Sequence, residues 1–330
     1  MIQKPLKIET KEGESMRSYV AYLITIIGAS FWGLTGLFVE SLYAHGFTAW
    51  EIVTVRLTSA SLILMLFMAL FSRRHLRIRL KHIPHFIGLG VVSIVIFNWC
   101  YFTVMDQTSL SIAVVLLYTS PIFVTVLSKI IFNEPITRRK AVSLVTTLVG
   151  CALSIKLLPI GNVSIPLISI VLGLLSALFC AMYSILGKSI SRHYNFLTIT
   201  VYALLMGSLF IFPTSGIWKK VDAFQSFDVW LNIFGVAVIS TILAYTLYTF
   251  GLAYIESSKA AILGAMEPIV AVLVGVLVFG DSLNFLQILG ITLVITSAFI
   301  TVFHRQRKIK IKGGRFKSKK VLSNVMKKSV

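Results

Sequence analysis

The sequence predicts an all-α membrane protein of ten transmembrane helices, arranged as two inverted five-helix repeats around a central cavity. Three observations predict it. Hydrophobic residues make up 57% of the 330 and charged residues only 13%, too little polar surface for a soluble domain of that size. The apolar residues fall into ten runs of about 20, the length that crosses a hydrocarbon core as a helix. The end of the first half also recurs 147 residues later. Ser120-Pro121-Ile122 returns as Glu267-Pro268-Ile269, Phe132-Asn133-Glu134 as Phe279-Gly280-Asp281, and Ala113 as Ala260.

In order, the runs cover residues 19–43, 48–71, 83–104, 109–132, 138–157, 165–189, 195–215, 229–251, 258–279 and 282–303. The first, from Tyr19 to Tyr43, carries no charge before Glu40. It is too long for a signal-peptide core and lacks a small-residue cleavage site, so it reads as a retained span. All ten are continuously apolar with no period-two alternation, which excludes a membrane barrel. In the first and sixth runs, Ala29 with Gly33 and Gly173 with Ala177 and Ala181 recur every fourth residue, a pattern for close helix contact in lipid. The domains expected are a cytoplasmic tail 1–18, repeats 19–157 and 165–303, and a basic cytoplasmic tail 304–330.

Charge sets the orientation. The net charge is +19, but no folded polar face carries it as a nucleic-acid site would require. If the N-terminus is cytoplasmic, 26 of the 31 Lys and Arg fall in cytoplasmic segments. Three (Lys156, Lys219, Lys220) fall outside, and Arg56 and Lys129 lie within helices. Both termini are therefore expected in the cytoplasm of a cell that holds the chain in its plasma membrane. Five helices per repeat is an odd number, so the second repeat enters the bilayer upside down. Swapping which half is open then exposes one central site to either side in turn.

Several motifs lead nowhere. Gly187-Lys188-Ser189 lacks the earlier glycine of a phosphate-binding loop, since that position is Met182. Cys100, Cys151 and Cys180 lie in apolar runs and read as buried small hydrophobes. No His pair has metal-ligand spacing. Asn162-Val163-Ser164 fits a glycosylation acceptor on the outer side.

Phe31-Trp32-Gly33, Arg56, Tyr118-Thr119-Ser120-Pro121 through Phe132-Asn133-Glu134-Pro135, Glu267-Pro268 and Phe279-Gly280-Asp281 together resemble the drug/metabolite transporter superfamily, in its EamA-like branch. The resemblance covers residues 19–303. It implies ten helices around a cavity and transport of small metabolites, frequently amino acids, without ATP hydrolysis. Gly280-Asp281-Ser282 departs from the family's pattern, a difference expected to affect a loop rather than the cavity.

The candidate site follows from polar residues in apolar sequence. Glu267 falls near the midplane, where a carboxylate must be paired, protonated or wetted. Pro268 and its repeat partner Pro121 free the carbonyls of Gly264 and Leu117 and are expected to act as hinges. Trp32, Asn98, Tyr101, Tyr118, Ser120, Tyr183, Tyr245 and Tyr248 complete the expected cavity; the 147-residue offset pairs Asn98 with Tyr245 and Tyr101 with Tyr248. Arg56 reads either as half of an outer charge lock with Glu40 or as a ligand for a substrate carboxylate. Helix packing or capping is the alternative role for each.

The expected function is secondary transport of a small metabolite, an amino acid or similar compound, by export. No enzyme, metal or cofactor is implied, and Glu267 offers a site for proton coupling. Choline or quaternary-amine uptake through an aromatic cage is the second reading; a non-transport membrane enzyme or scaffold is the third. Expected partners are the small-molecule substrate, the lipid bilayer and anionic lipid at the C-terminal tail, with no nucleic acid, in a monomer or homodimer.

Overall fold

The computed structural model describes residues 11–155 and 165–303, of which 11–17 and 110–111 are described by backbone alone. The basic tail, residues 1–10, Lys156, the end of the fifth run and the Asn162 acceptor lie outside the described residues. No strand occurs among the described residues. Nine helices there are long and apolar enough to cross a bilayer. They are α1 (Ser18–Ala44), α2 (Ala49–Phe71), α3 (Leu80–Gln107), α4 (Ile112–Phe132), α6 (Leu167–Ile190), α7 (Phe196–Ser215), α8 (Phe227–Tyr254), α9 (Ser257–Phe279) and α10 (Phe285–Val302).

The fifth run is the exception. Its helix α5 (Arg138–Ser154) has 17 residues, about 25 Å at 1.5 Å per residue, against a hydrocarbon core of about 30 Å. It opens on three basic residues and carries Ser143, Thr146 and Thr147. It therefore takes its place by packing lengthwise on α10. Thr147 Oγ1 lies 2.6 Å from Ser297 Oγ, Ser297 Oγ donates to the Ser143 carbonyl at 2.8 Å, and Gly150 meets Gly290 backbone to backbone. Hydroxyl pairs and small residues replace the hydrophobic drive that lipid does not provide.

Packing partners repeat when each helix is exchanged for the one five places on. α1 packs on α8 and α9, and α6 packs on α3 and α4; α2 pairs with α7, and α5 with α10. That pattern is the pseudo-twofold of an inverted repeat. Local backbone follows it too. α3 contains a π segment at Gly88–Ile96 and α8 one at Val238–Leu243. In each, a hydroxyl bonds the carbonyl five residues back: Ser93 to Gly88 at 3.0 Å and Thr241 to Val236 at 2.8 Å. Such widened turns bend a helix without leaving backbone groups bare in lipid.

α4 and α9 are broken rather than merely kinked at the prolines. α4 comprises Leu110–Leu117 and Ser120–Phe132, and α9 comprises Ser257–Gly264 and Met266–Phe279. Pro121 and Pro268 sit in the first turn of the second segments, where a missing N–H costs no intrahelical bond. Both helices end on a left-handed residue, Asn133 (φ 56°) and Gly280 (φ 75°). α1 is interrupted once, at Leu34. Outside the bundle, large apolar side chains such as Leu66, Phe71, Ile130 and Leu277 are exposed, as a lipid-facing surface requires.

Candidate substrate cavity

The breaks and π segments surround a cavity of about 1350 Å³. Its lining includes the connection after α1 (Tyr43, Thr48), the end of α3 (Asp106), the end of α5 (Ser154, Ile155) and the α9–α10 connection (Asp281, Leu283). These all lie at one end of the bundle, the mouth. Connections at the opposite end contribute nothing to the lining, so the cavity is closed there.

Aromatic rings form the floor. Trp32 meets Tyr245 edge-on at 5.1 Å between centroids and Tyr248 at 5.0 Å, and Tyr183 meets Tyr245 edge-on at 5.0 Å. Edge-to-face packing suits the ring quadrupoles. Buried hydroxyls find partners, with Tyr183 Oη 2.8 Å from Thr249 Oγ1 and Tyr248 Oη 2.8 Å from Ser184 Oγ. α1 presses close to this layer because Gly28 lies against the backbone of Tyr248.

Above the floor stand two opposite charges. Arg56 projects from α2 and Glu267 from the break of α9; both are half-buried and line the cavity. Arg56 acts electrostatically on Glu267 and on Tyr245. No ion pair within 4 Å joins Arg56 to Glu267, and Arg56 Nε is buried without a hydrogen-bond partner. A fixed Arg in a span costs about 2.5–3.5 kcal/mol on insertion scales, so the group marks a wet or ligand-binding interior. Gly33 seats α1 against Glu267, since a Cβ there would meet the Glu267 carbonyl oxygen and Val270.

Every candidate site residue borders this cavity, Tyr101, Tyr118, Ser120, Glu40 and both prolines included. Two arrangements differ from expectation. The Arg56–Glu40 lock is not closed: Glu40 is exposed at the mouth, and no ion pair joins it to Arg56. Asn98 lines the wall, but its amide donates to the Ile94 carbonyl at 2.6 Å within its own helix, next to the π segment.

Asp106 and Gln287, which no sequence motif singles out, and Asp281 also line the cavity. Asp281 is exposed, with its carboxylate lying over Gly275; the Gly280-Asp281-Ser282 departure therefore reaches the cavity and not only a loop, contrary to the expectation from sequence. The signal that finds it is its repeat register with Glu134.

At the closed end, Glu134 is buried and grips the start of α9. Its carboxylate accepts from Ser257 N at 2.8 Å, Ser258 N at 3.3 Å and Ser258 Oγ at 2.7 Å. Lys140 stands 3.8 Å from Glu134 and 2.6 Å from Glu256, and Lys259 lies 3.5 Å from Glu256. Lys259 also reaches Tyr22 Oη at 3.2 Å, and Lys188 donates to the Ile255 carbonyl at 2.7 Å. Burial pushes the Glu256 carboxyl up, but Lys140 and Lys259 outweigh it and hold it below its ordinary value. Buried charges survive here because each is paired or hydrogen-bonded.

A helical bundle with two repeats, closed at one end around a largely apolar chamber that holds two opposite charges, is the architecture of integral multi-pass membrane transporters. The model of the EamA-like transporter family matches residues 19–156 and again 167–303; the chain belongs to this family. An uncharacterized transporter of Archaeoglobus fulgidus is 26% identical over 297 residues, covering 88% of this chain and all of that protein. A second from the same organism is 27% identical over 214 residues, 64% of this chain and 75% of the other. The uncharacterized transporter YxxF of Bacillus subtilis is 24% identical over 301 residues, 90% and 94% of the two chains. A solved crystal structure shares the fold with a TM-score of 0.70 at 14% identity, over 85% of this chain and 96% of that one.

Proposed function

We propose that the protein exports a small zwitterionic metabolite of the amino-acid type by alternating access, with its closed end in the cytoplasm of a plasma-membrane host. The observation that carries the reading is the unpaired Arg56 and Glu267 within one cavity. A zwitterion satisfies both: the guanidinium takes the substrate carboxylate in a bidentate contact, and Glu267 takes the ammonium. The aromatic floor supplies apolar area for the side chain. Arg73, Arg74, Arg77 and Arg79, with Arg138, Arg139 and Arg192, stand at the closed end and support a cytoplasmic assignment. The chamber then opens outward, the release state for an exporter. Glu267 also serves as the proton site when no ammonium occupies it.

The aromatic floor gives quaternary-amine uptake some support, but Arg56 opposes a cation that brings no carboxylate. The test is thermal stabilisation of purified protein by neutral amino acids, their decarboxylated amines, their deaminated acids and choline. The zwitterions are expected to raise Tm and the single-charge analogues are not. Stabilisation by choline or amines alone overturns the reading.

A further inference from the structure

Inverted repeats make each end of the bundle a guide to the other. The 147-residue register holds in detail around the α4–α5 and α9–α10 connections. Asn133 and Gly280 are both left-handed. The next residue bonds back six places in each case, Glu134 N to Ser128 O at 3.2 Å and Asp281 N to Gly275 O at 3.0 Å. The following helices are capped in register, with Lys140 N donating to Thr137 Oγ1 at 3.3 Å and Gln287 N to Asn284 Oδ1 at 2.8 Å. Asp281 is thus the structural counterpart of Glu134.

Their environments differ. Glu134 is docked on the first residues of α9, whereas Asp281 is exposed at the cavity mouth and its carboxylate has no hydrogen bond or ion pair. The counterpart of the α9 start is the α4 start, Leu110 and Ser111, behind the N-cap Ser109.

We propose that Asp281 is the latch of the opposite conformation: when the mouth closes, its carboxylate docks on the backbone N–H groups at the start of α4, as Glu134 now docks on α9. Ser109 Oγ already caps Ile112 N at 3.3 Å, and the remaining N–H groups of that first turn, with the helix dipole, can donate to a carboxylate. The register also sets the relative strength of the two latches. Lys140, Glu256 and Lys259 correspond to Gln287, Ser109 and Ile112. The mouth latch therefore keeps the carboxylate but has neither the bridging base nor its acidic partner. The weaker latch belongs to the mouth, so the mouth-open state is the resting one.

This rests on the alternating-access part of the proposed function and not on the substrate. The test uses purified full-length protein without substrate, carrying Cys180→Ser and a Thr103→Cys reporter on the cavity wall, labelled with a charged maleimide. Glu134→Gln is expected to slow labelling about tenfold, by lowering the fraction of molecules with an open mouth. Adding Asp281→Asn restores the rate, and Asp281→Glu, which keeps the carboxylate, does not. If Glu134→Gln leaves the rate unchanged, or Asp281→Asn fails to restore it, the latch is overturned. Failure of zwitterion binding leaves this readout untouched, so the two claims fail separately.

Discussion

The two ends of the bundle are built from the same sequence register and behave differently. At the closed end, a carboxylate, two lysines and a second carboxylate tie α4, α5 and α9 together. At the mouth, the corresponding positions hold Asp281, Gln287, Ser109 and Ile112, and a cavity of about 1350 Å³ opens beside Asp281 and Gln287. Backbone geometry is conserved between the ends, down to the left-handed cap and the helix N-caps. The ionised side chains are where the two connections differ most. On the alternating-access reading, fold symmetry supplies two conformations, and a handful of unsymmetrical residues choose between them. A gap of a few kcal/mol decides which state dominates.

Transplanting the closed-end charges is the strongest way to break the comparison. Ser109→Glu with Gln287→Lys is expected to rebuild the ion pair at the mouth and reverse the resting state, reducing Thr103→Cys labelling by about tenfold or more. Labelling at the wild-type rate would show that the charges do not set the balance. Next in size, Glu267→Gln is expected to abolish proton-dependent flux in proteoliposomes, since the amide can neither titrate nor pair with an ammonium. Unchanged flux at every pH removes Glu267 from the mechanism.

A smaller effect concerns packing. Gly33→Ala places a methyl against the Glu267 carbonyl and Val270, an overpacking expected to cost about 1–3 kcal/mol and to lower Tm. Gly36→Ala, where a Cβ meets nothing within 4 Å, is the control and does not lower Tm. The smallest effect is in pH. Glu256 is held below its ordinary 4.5, so the stability it adds is complete above that value and is lost as pH falls through its lowered value. From about pH 6 to 8, Glu256→Gln is expected to lower Tm by an amount that does not vary with pH. A difference that shrinks across that window would mean that Glu256 is titrating there.

Much of this was legible in the sequence, for identifiable reasons. The repeat of Ser120-Pro121-Ile122 in Glu267-Pro268-Ile269 marks equivalent helix breaks, because proline leaves a backbone signature wherever it occurs. The aromatic and polar residues of the cavity stood out because lipid-facing positions have no use for them. Other features were hidden. The π segments of α3 and α8 depend on one hydroxyl each, Ser93 and Thr241, in runs that read as ordinary spans. Lys140 and Lys259 counted only as topology-setting charges, since their pairing with Glu134 and Glu256 is visible only when the connections meet in space. The short α5 reads as a full span because its polar residues are spent on α10. The sequence leaves Arg56 either as half of a lock with Glu40 or as a ligand for a substrate carboxylate, because the break of α9 that sets Glu267 where the guanidinium acts on it is visible only in space.

The central claim is that the two ends open and close in opposition. Pulsed electron resonance can measure it directly, with one spin-label pair across the mouth at His45 and Ser282 and another across the closed end at Ile136 and Tyr254. In wild type the mouth pair is expected to be far apart and the closed-end pair near. Glu134→Gln should shorten the first distance and lengthen the second in the same sample. Distances that move in the same direction, or a mouth that stays open while the other end parts, would contradict the account.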